Sequence, residues 1–228
     1  MNSPSVDDFA KERVICAISY VIQALPTEEE KEQPILMLLG LIEKNVSTCL
    51  SLVQHGQFAT GKESALSVLR CLTNMGRGLQ VPDDIPIELD QEKNGVRPFS
   101  FWEQGKGLLI QTQIVQIVQA IVVALKEDSE VVEAACCVFK TGFTESTPGA
   151  FVFPPYLTAS FLLERAAKCT TRVETIVTTA ATMISSYSTE GAMSIVSQAR
   201  ALLDMVITLV ETYKGKQSDY PLIKFLLS

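Results

Sequence analysis

The sequence predicts an all-α fold in which antiparallel helical hairpins stack into a right-handed superhelix. Three observations lead to this prediction. Apolar residues recur at three- and four-residue steps through almost the whole chain of 228 residues, which is typical of amphipathic helices. Several of the predicted helices are joined by very short links, as in helical hairpins. Only 7% of the residues are aromatic, and the apolar content is mainly Leu, Val, Ile and Ala, which suits close packing of helix on helix.

The first 78 residues are predicted to form three helices. The first begins after an N-cap at Ser5 and ends at Pro26. Its apolar row consists of Val14, Ile18, Val21, Ile22 and Leu25. A Thr-x-x-Glu capping box, Thr27 to Glu30, starts the second helix, which continues to about Gly56. The third fades near the glycines at 76 and 78. This region should therefore supply the first hairpins of the stack.

Residues 79–104 interrupt the helical pattern with three prolines and a run of acids. The acids that we single out as a candidate protein-binding patch are Asp83, Asp84, Glu88, Asp90 and Glu92. Apolar Ile85, Ile87 and Leu89 alternate with them. One interpretation is a solvated linker. The other is a patch for a basic partner, in which the apolar side chains add contact area.

Trp102, the only tryptophan of the chain, follows this acidic stretch and stands beside Phe101. One interpretation is that Trp102 fastens the loop to the helical core. The other is that it is an exposed anchor for a protein partner, because tryptophan is enriched among the residues that dominate interfaces. Trp102 is therefore included with the candidate protein-binding residues.

Residues 105–228 are predicted to return to helical hairpins. The helix over 107–125 has one row of isoleucines and a second row of valines beside it, and residues 126–128 link it to a helix that starts at Ser129. The next helices are expected at Tyr156–Cys169, Val173–Ser186, Gly191–Tyr213 and Tyr220–Ser228. With 1–78 and the loop 79–104, these residues should form one continuous stack.

The hairpins recur at spacings close to those of HEAT and armadillo repeats, with starts near Gly107, Pro154 and Glu190. One internal similarity supports a repeat: Arg70–Gly76 aligns without a gap on Cys136–Gly142, with cysteine on cysteine and glycine on glycine. Small residues at the end of a second hairpin helix allow close stacking. The sequence therefore predicts a HEAT/armadillo-type α-solenoid, with an unrepeated all-α domain as the alternative.

The net charge of −7 is concentrated in the first half of the chain. Residues 1–105 contain fifteen acids and nine bases, a balance of −6, whereas residues 106–228 contain eleven acids and ten bases, a balance of −1. An acidic surface without a basic stripe argues against direct nucleic-acid binding. A basic protein is the better electrostatic match for such a surface.

The sequence contains no pattern that predicts a catalytic, metal-binding or cofactor-binding site. The single histidine, His55, is expected at a helix C-terminus, and the six cysteines form no C-x-x-C pair. We expect these cysteines to be buried, reduced thiols. The uncharged stretch 107–125 is long enough for a membrane span, but its four glutamines favour a buried helix over membrane insertion. No secretory signal is predicted, so we expect a cytosolic or nuclear protein.

The region from Phe99 to Tyr187 resembles nuclear transport receptors of the importin-β (karyopherin-β) family, in the transportin-SR-type and importin-thirteen-like branch. The residues that carry the resemblance are Pro98–Glu103, Val131–Lys140 and Pro148–Pro155. The resemblance implies a stack of helical hairpins that binds proteins and catalyses no reaction. Members of the family are several times longer, so the chain is expected to be an internal fragment.

The resemblance also implies a set of partners. Receptors of this branch carry basic cargo, such as Arg/Ser-rich splicing factors, and bind the small GTPase Ran and the Phe-Gly repeats of nucleoporins. The expected function is therefore nuclear import of basic cargo by a receptor that shuttles between nucleus and cytoplasm. The alternatives are a HEAT or armadillo scaffold of another kind, such as a phosphatase regulatory subunit, and a helical enzyme or ligand-binding domain.

Overall fold

The structure, a computed structural model, describes residues 6–81, 101–143, 147–169, 171–186 and 189–214. Every regular element in these ranges is a helix, which confirms the all-α prediction. The α-helices are α1 (Val6–Gln23), α2 (Glu28–Gln54), α3 (Phe58–Gly78), α4 (Gly105–Ala124), α5 (Ser129–Lys140), α6 (Pro155–Glu164), α7 (Val173–Ser186) and α8 (Thr189–Lys214). The helix predicted at 220–228 lies outside the described residues.

The start of α2 confirms Thr27 as the N-cap, which is one half of the predicted capping box. The Thr27 hydroxyl accepts a hydrogen bond of 3.3 Å from the backbone N–H of Glu30, and acids occupy the first turn of the helix, where its dipole favours them. Pro34 lies inside α2 without moving its start. His55 follows as the C-cap, and its Nδ1 lies 2.7 Å from the carbonyl oxygen of Ser51. Local sequence signals thus set both ends of α2.

The hairpin predicted from the short link after residue 125 is confirmed. Helices α4 and α5 pack on each other, and Leu125–Asp128 connect them. Lys126 and Glu127 both have φ near +54°, which is uncommon for residues other than glycine. Asp128 then caps α5 by accepting hydrogen bonds from the N–H groups of Glu130 and Val131. The tight turn and the cap together reverse the chain within four residues.

The connection from α5 to α6 contributes to the core. Phe143, Phe151 and Phe153 are buried, and the ring of Phe139 stacks on that of Phe161 with centroids 4.6 Å apart. The helix predicted over Tyr156–Cys169 is shorter than expected, because α6 ends at Glu164 and a 3₁₀ turn, Ala166–Lys168, follows. The 3₁₀ turn lets the chain change direction before α7.

The helices lie in two layers. Along one layer α1, α3, α5 and α7 contact each other in chain order, and along the other α2, α4, α6 and α8 do the same. Several consecutive helices contact each other across the layers: α1 with α2, α2 with α3, α4 with α5, α6 with α7, and α7 with α8. The two apolar rows of α4 are buried between the layers, as predicted; they comprise Ile110, Ile114, Ile117, Ile121 and Leu125, and Val115, Val118 and Val122.

Two glycines that the sequence pairs in an internal repeat are both sites of close approach. A Cβ on Gly76 of α3 would lie 2.5 Å from the Thr141 hydroxyl oxygen at the end of α5. A Cβ on Gly142 would lie 2.1 Å from the carbonyl oxygen of Phe151. The expectation that small residues allow close packing at these positions is therefore confirmed for both glycines.

The expectation of buried cysteines holds for Cys49, Cys71, Cys136 and Cys169, whereas Cys16 is half-buried. It is wrong for Cys137, which is exposed. The adjacent Cys136 faces α7 in the core, and the next residue along a helix points about 100° away from it. An apolar neighbourhood in the sequence therefore did not guarantee burial.

Candidate functional site

The acidic candidate patch of Asp83, Asp84, Glu88, Asp90 and Glu92 lies outside the described residues. Its interpretation as a surface for a basic partner therefore remains a prediction. Trp102, the sixth candidate residue, lies within the described residues and lines a small cleft.

Trp102 is buried, with only 2% of its surface exposed. Its indole N–H donates a hydrogen bond of 2.6 Å to Oε2 of Glu28, and the Phe101 ring meets its ring edge-on at 5.0 Å. These contacts hold the residues before α4 against the first turn of α2. The interpretation of Trp102 as a core fastening is supported, and Trp102 offers no exposed anchor to a partner.

Glu28 also binds a buried cation. Its Oε1 accepts a hydrogen bond of 2.7 Å from Nζ of Lys31, whose side chain is 7% exposed. A lysine buried to this degree needs such a partner, because desolvation of an unpaired ammonium group costs roughly several kcal/mol. Glu28 therefore links Lys31 and Trp102 in one polar network at the start of α2.

A cleft lies beside this network, between α2, the end of α3 and the connection 147–152. The Gln80 amide donates to the Thr141 carbonyl oxygen at 2.8 Å across this region. The Gln111 amide donates to the carbonyl oxygens of Gly149 and Val152 at 2.8 and 2.9 Å, and so holds the connection in place. The cavity measures about 20 Å³, which is room for roughly one water molecule. The cleft is too small for an organic substrate.

The described residues contain no group of three or more His, Cys, Asp or Glu side chains that could hold a metal ion. Burial raises the pKa of the Cys136 thiol to about 12 and also raises the pKa of Cys49. A thiol with a raised pKa carries little thiolate at neutral pH and is a poor nucleophile. These two cysteines are therefore suited to packing rather than to covalent chemistry.

One edge of the molecule carries a series of ion pairs that joins successive helices. Lys62 at the start of α3 pairs with Asp128 and Glu130 at 3.0 and 2.9 Å. The hydrogen bond to Glu130, with the contribution of Asp128, raises the pKa of Lys62. Glu127, which directly precedes Asp128 in the same connection, pairs at 3.2 Å with Lys168 in the 3₁₀ turn after α6. The pairs connect residues 41 to 68 positions apart, so periodicity in the sequence gave no sign of them.

Among the described residues, two helices, α2 and α4, are long and apolar enough to cross a membrane, judged by length and composition alone. Half of the apolar window of α4 and a third of that of α2 are buried inside the protein. Burial of this kind is typical of core helices, and the buried amide of Gln111 on α4 already bonds to protein carbonyls. The observation is consistent with the expectation of a buried helix at 107–125.

Exposed apolar side chains lie on α1 and α8, the first and last of the described helices. The first apolar row of α1 is mostly exposed: Val14, Ile18 and Val21 face outward, and Ile22 is buried. The spacing of these apolar residues correctly predicted a helix, but it did not predict which face of the helix is buried. On α8, Leu203 and Ile207 are exposed in the same manner. The regular spacing of these residues was visible in the sequence, but their exposure depends on which helices lie beside them.

Comparison of the chain with protein-family models, with curated proteins and with solved structures finds no significant match.

Proposed function

We propose that the chain is a protein-binding segment of a HEAT/armadillo-type α-solenoid, and that it serves a nuclear import receptor for basic cargo. The observation that carries the solenoid proposal is the order of packing. Each layer contains alternate helices in chain order, and each helix packs mainly on its neighbours in the series. Repeat proteins of stacked hairpins have this quasi-one-dimensional pattern.

The internal similarity between α3 and the end of α5 supports the same proposal. The two segments are neighbours in one layer, and each ends in a glycine where another part of the chain approaches closely. If hairpins α2–α3 and α4–α5 are successive repeats, equivalent positions should lie side by side along a layer. Gly76 packs on Thr141, which directly precedes the equivalent Gly142.

The proposal of a basic protein partner rests on charge. The net charge is −7, and five acids fall within residues 83–92. Complementary charge mainly increases the rate of encounter between two proteins and helps to fix their orientation. Nuclear import and control by Ran are proposed from the resemblance to importin-β-type receptors, and shuttling between nucleus and cytoplasm follows from that resemblance.

Binding measurements on the immobilised chain test these proposals one partner at a time. We expect binding of an Arg/Ser-rich peptide, of a Phe-Gly repeat peptide and of Ran loaded with GTP. The matched controls are an Arg→Glu peptide, a Ser-Gly repeat peptide and Ran loaded with GDP. Binding of the basic peptide alone would favour a scaffold outside nuclear transport, and failure of all three would contradict the proposed function.

A charge-reversed variant tests the acidic patch itself. Changing Asp83, Asp84, Glu88, Asp90 and Glu92 to Lys should slow association with the Arg-rich peptide at low salt and leave thermal stability nearly unchanged. Attraction between exposed charges is screened over roughly 8 Å at physiological ionic strength, so the difference should shrink as salt is added. Equal association rates at low salt would show that the patch does not bind the peptide.

A further inference from the structure

Thr147, in the connection between α5 and α6, has an accessible hydroxyl group. The residue is exposed, and its hydroxyl makes no hydrogen bond to any described residue. Residues 147–149 belong to no helix. An enzyme that modifies a hydroxyl must reach it from solvent without unfolding a helix, and Thr147 meets both conditions.

Pro148 directly follows Thr147, and Thr-Pro is the dipeptide that proline-directed serine/threonine kinases recognise. Proline disfavours helical backbone in the residue before it, so Thr147 is biased toward the extended conformation that a kinase binds. Proline also lacks a backbone N–H, so no hydrogen bond of that group has to be broken at position 148. The one other Ser or Thr followed by proline in the chain is Ser3, which lies outside the described residues.

Thr147 lines the cleft beside α2, and so does the buried ammonium group of Lys31. The Lys31 side chain is 7% exposed and donates a hydrogen bond of 2.7 Å to Oε1 of Glu28. An ammonium group has three N–H donors. Among the described residues Glu28 is the one hydrogen-bond partner of Lys31. Two donors of Lys31 are therefore left for a further acceptor at the cleft.

The charges around the cleft favour an anionic acceptor that bonds to Lys31. Among the described residues that line the cleft, only Lys31 and Glu28 are charged. Both oxygens of Glu28 are occupied, one by Lys31 and the other by the indole N–H of Trp102. Glu28 repels a second anion, but Lys31 partly neutralises its charge. Charge-assisted hydrogen bonds from the ammonium group to a phosphate are short and strong, so we expect the attraction to prevail.

We propose that Thr147 is a phosphorylation site for a proline-directed kinase, and that its phosphate binds Lys31. In the reaction the threonine oxygen forms a bond to the γ-phosphorus of ATP, and the bond from that phosphorus to the β,γ-bridging oxygen breaks. ADP leaves, and the hydroxyl proton is released. Because Thr147 is exposed, its phosphate lies at the mouth of the cleft and does not have to fit inside the cavity.

The bond from the phosphate to Lys31 ties the connection between α5 and α6 to α2. Val81 precedes the segment that contains the acidic patch, Trp102 follows that segment, and both residues line the cleft. Phosphorylation therefore fastens the structure at both sides of the segment. Amide hydrogen exchange at 79–81 and 101–104 should become slower in the phosphorylated chain, and unchanged exchange at both places would contradict the proposal.

Incubation of the folded chain with a proline-directed kinase and Mg-ATP, followed by mass spectrometry, tests the site. Ser3→Ala serves as the background, because it removes the other Ser-Pro or Thr-Pro dipeptide. Thr147 should be phosphorylated in this background and much more slowly in the further variant Pro148→Ala. A synthetic peptide of residues 141–153 is the control for the enzyme. If the peptide is phosphorylated at Thr147 and the folded chain is not, the proposal is wrong.

Thermal unfolding tests the bond between the phosphate and Lys31. Phosphorylation of Thr147 should raise the melting temperature by about 2–4 °C, as expected for one added charge-assisted interaction in a chain of this size. In Lys31→Met the phosphate faces Glu28 without the ammonium group, so phosphorylation should give no rise. Lys106→Met is the matched control, because Lys106 pairs with Glu32 at 3.1 Å away from the cleft and the rise should persist. An equal rise in Lys31→Met would overturn the proposal.

Phosphorus NMR tests the same bond without the need for a Lys31 variant. The second pKa of a phosphate ester in a free peptide is about 6. Hydrogen bonds from Lys31 favour the doubly charged phosphate, so its pKa should be lower in the folded chain than in the phosphorylated peptide 141–153 at the same salt concentration. A pKa equal to that of the peptide, or higher, would show that the phosphate of Thr147 does not bind Lys31.

Discussion

The indole Nε1 of Trp102 donates a hydrogen bond of 2.6 Å to Oε2 of Glu28, although 74 residues separate them in the chain. The bond fastens the residues that precede α4 to the first turn of α2. Because α2 and α4 are neighbours in one layer, it also sets how the two hairpins meet.

Replacement of Trp102 should destabilise the fold. Trp102→Ala removes a buried ring and should lower the free energy of unfolding by about 3–5 kcal/mol. Trp102→Phe keeps most of the apolar contact but loses the hydrogen bond to Glu28, and should cost roughly 1–3 kcal/mol. Urea unfolding followed by circular dichroism measures both. A Trp102→Ala variant as stable as wild type would show that this side chain does not fasten the two hairpins.

Ile117 tests the buried row of α4. Ile117→Ala should lower the free energy of unfolding by roughly 2–5 kcal/mol, because the side chain is buried between the two layers. Val123→Ala on the same helix is the matched control: Val123 is exposed, and a surface change of this kind is usually within about 0.5 kcal/mol. A loss below about 1 kcal/mol for Ile117→Ala would mean that neighbouring side chains move in and fill the cavity that the substitution leaves.

Substitution of alanine for two helical glycines should change the stability of the fold in opposite directions. A Cβ on Gly107 of α4 would lie 2.3 Å from the carbonyl oxygen of Phe101, so Gly107→Ala forces backbone to move and should destabilise by about 1–3 kcal/mol. A Cβ on Gly40 of α2 meets no atom within 4 Å. Gly40→Ala should therefore stabilise by about 0.5–1 kcal/mol through helix propensity. Thermal unfolding of the two variants measures the difference, and equal shifts would contradict the close approach at Gly107.

The adjacent Cys136 and Cys137 should differ in reactivity. Cys137 is exposed, whereas Cys136 is buried and its pKa is raised to about 12. At mildly alkaline pH a thiol reagent should modify Cys137 quickly in the folded protein and Cys136 only after unfolding. Mass spectrometry of the labelled peptide, with Cys137→Ser as the control, distinguishes the two. If Cys136 is labelled quickly in the folded Cys137→Ser variant, the contact between α5 and α7 must open.

The raised pKa of Cys136 also predicts a dependence of stability on pH. The unfolded thiol loses its proton near its ordinary pKa of about 8.5, whereas the folded thiol keeps it until about pH 12. The folded state then binds more protons, so this contribution to stability is complete below the unfolded pKa and decreases as pH rises toward the folded value. Cys136→Ala should show a shallower fall in melting temperature above pH 9.

The sequence predicted the helices well because helix formation depends on local features. Periodicity, the N-cap at Thr27 and the short link after Leu125 each depend on residues close together in the chain, and each corresponds to a feature of the structure. The buried rows of α4 were also predictable, because the isoleucine and valine rows lie side by side and form one broad apolar face of the helix, which α2, α5 and α6 help to cover.

Which faces the helices bury was decided by the tertiary structure. The apolar row of α1 predicts a core face, yet Val14 and Val21 lie outward because α1 is at the end of the series and no described helix covers that side. The partner of Trp102 and the ion pair of Lys62 with Asp128 depend on residues 74 and 66 positions away. A local pattern specifies that a helix forms, but burial requires a neighbour, and the neighbour comes from a distant part of the chain.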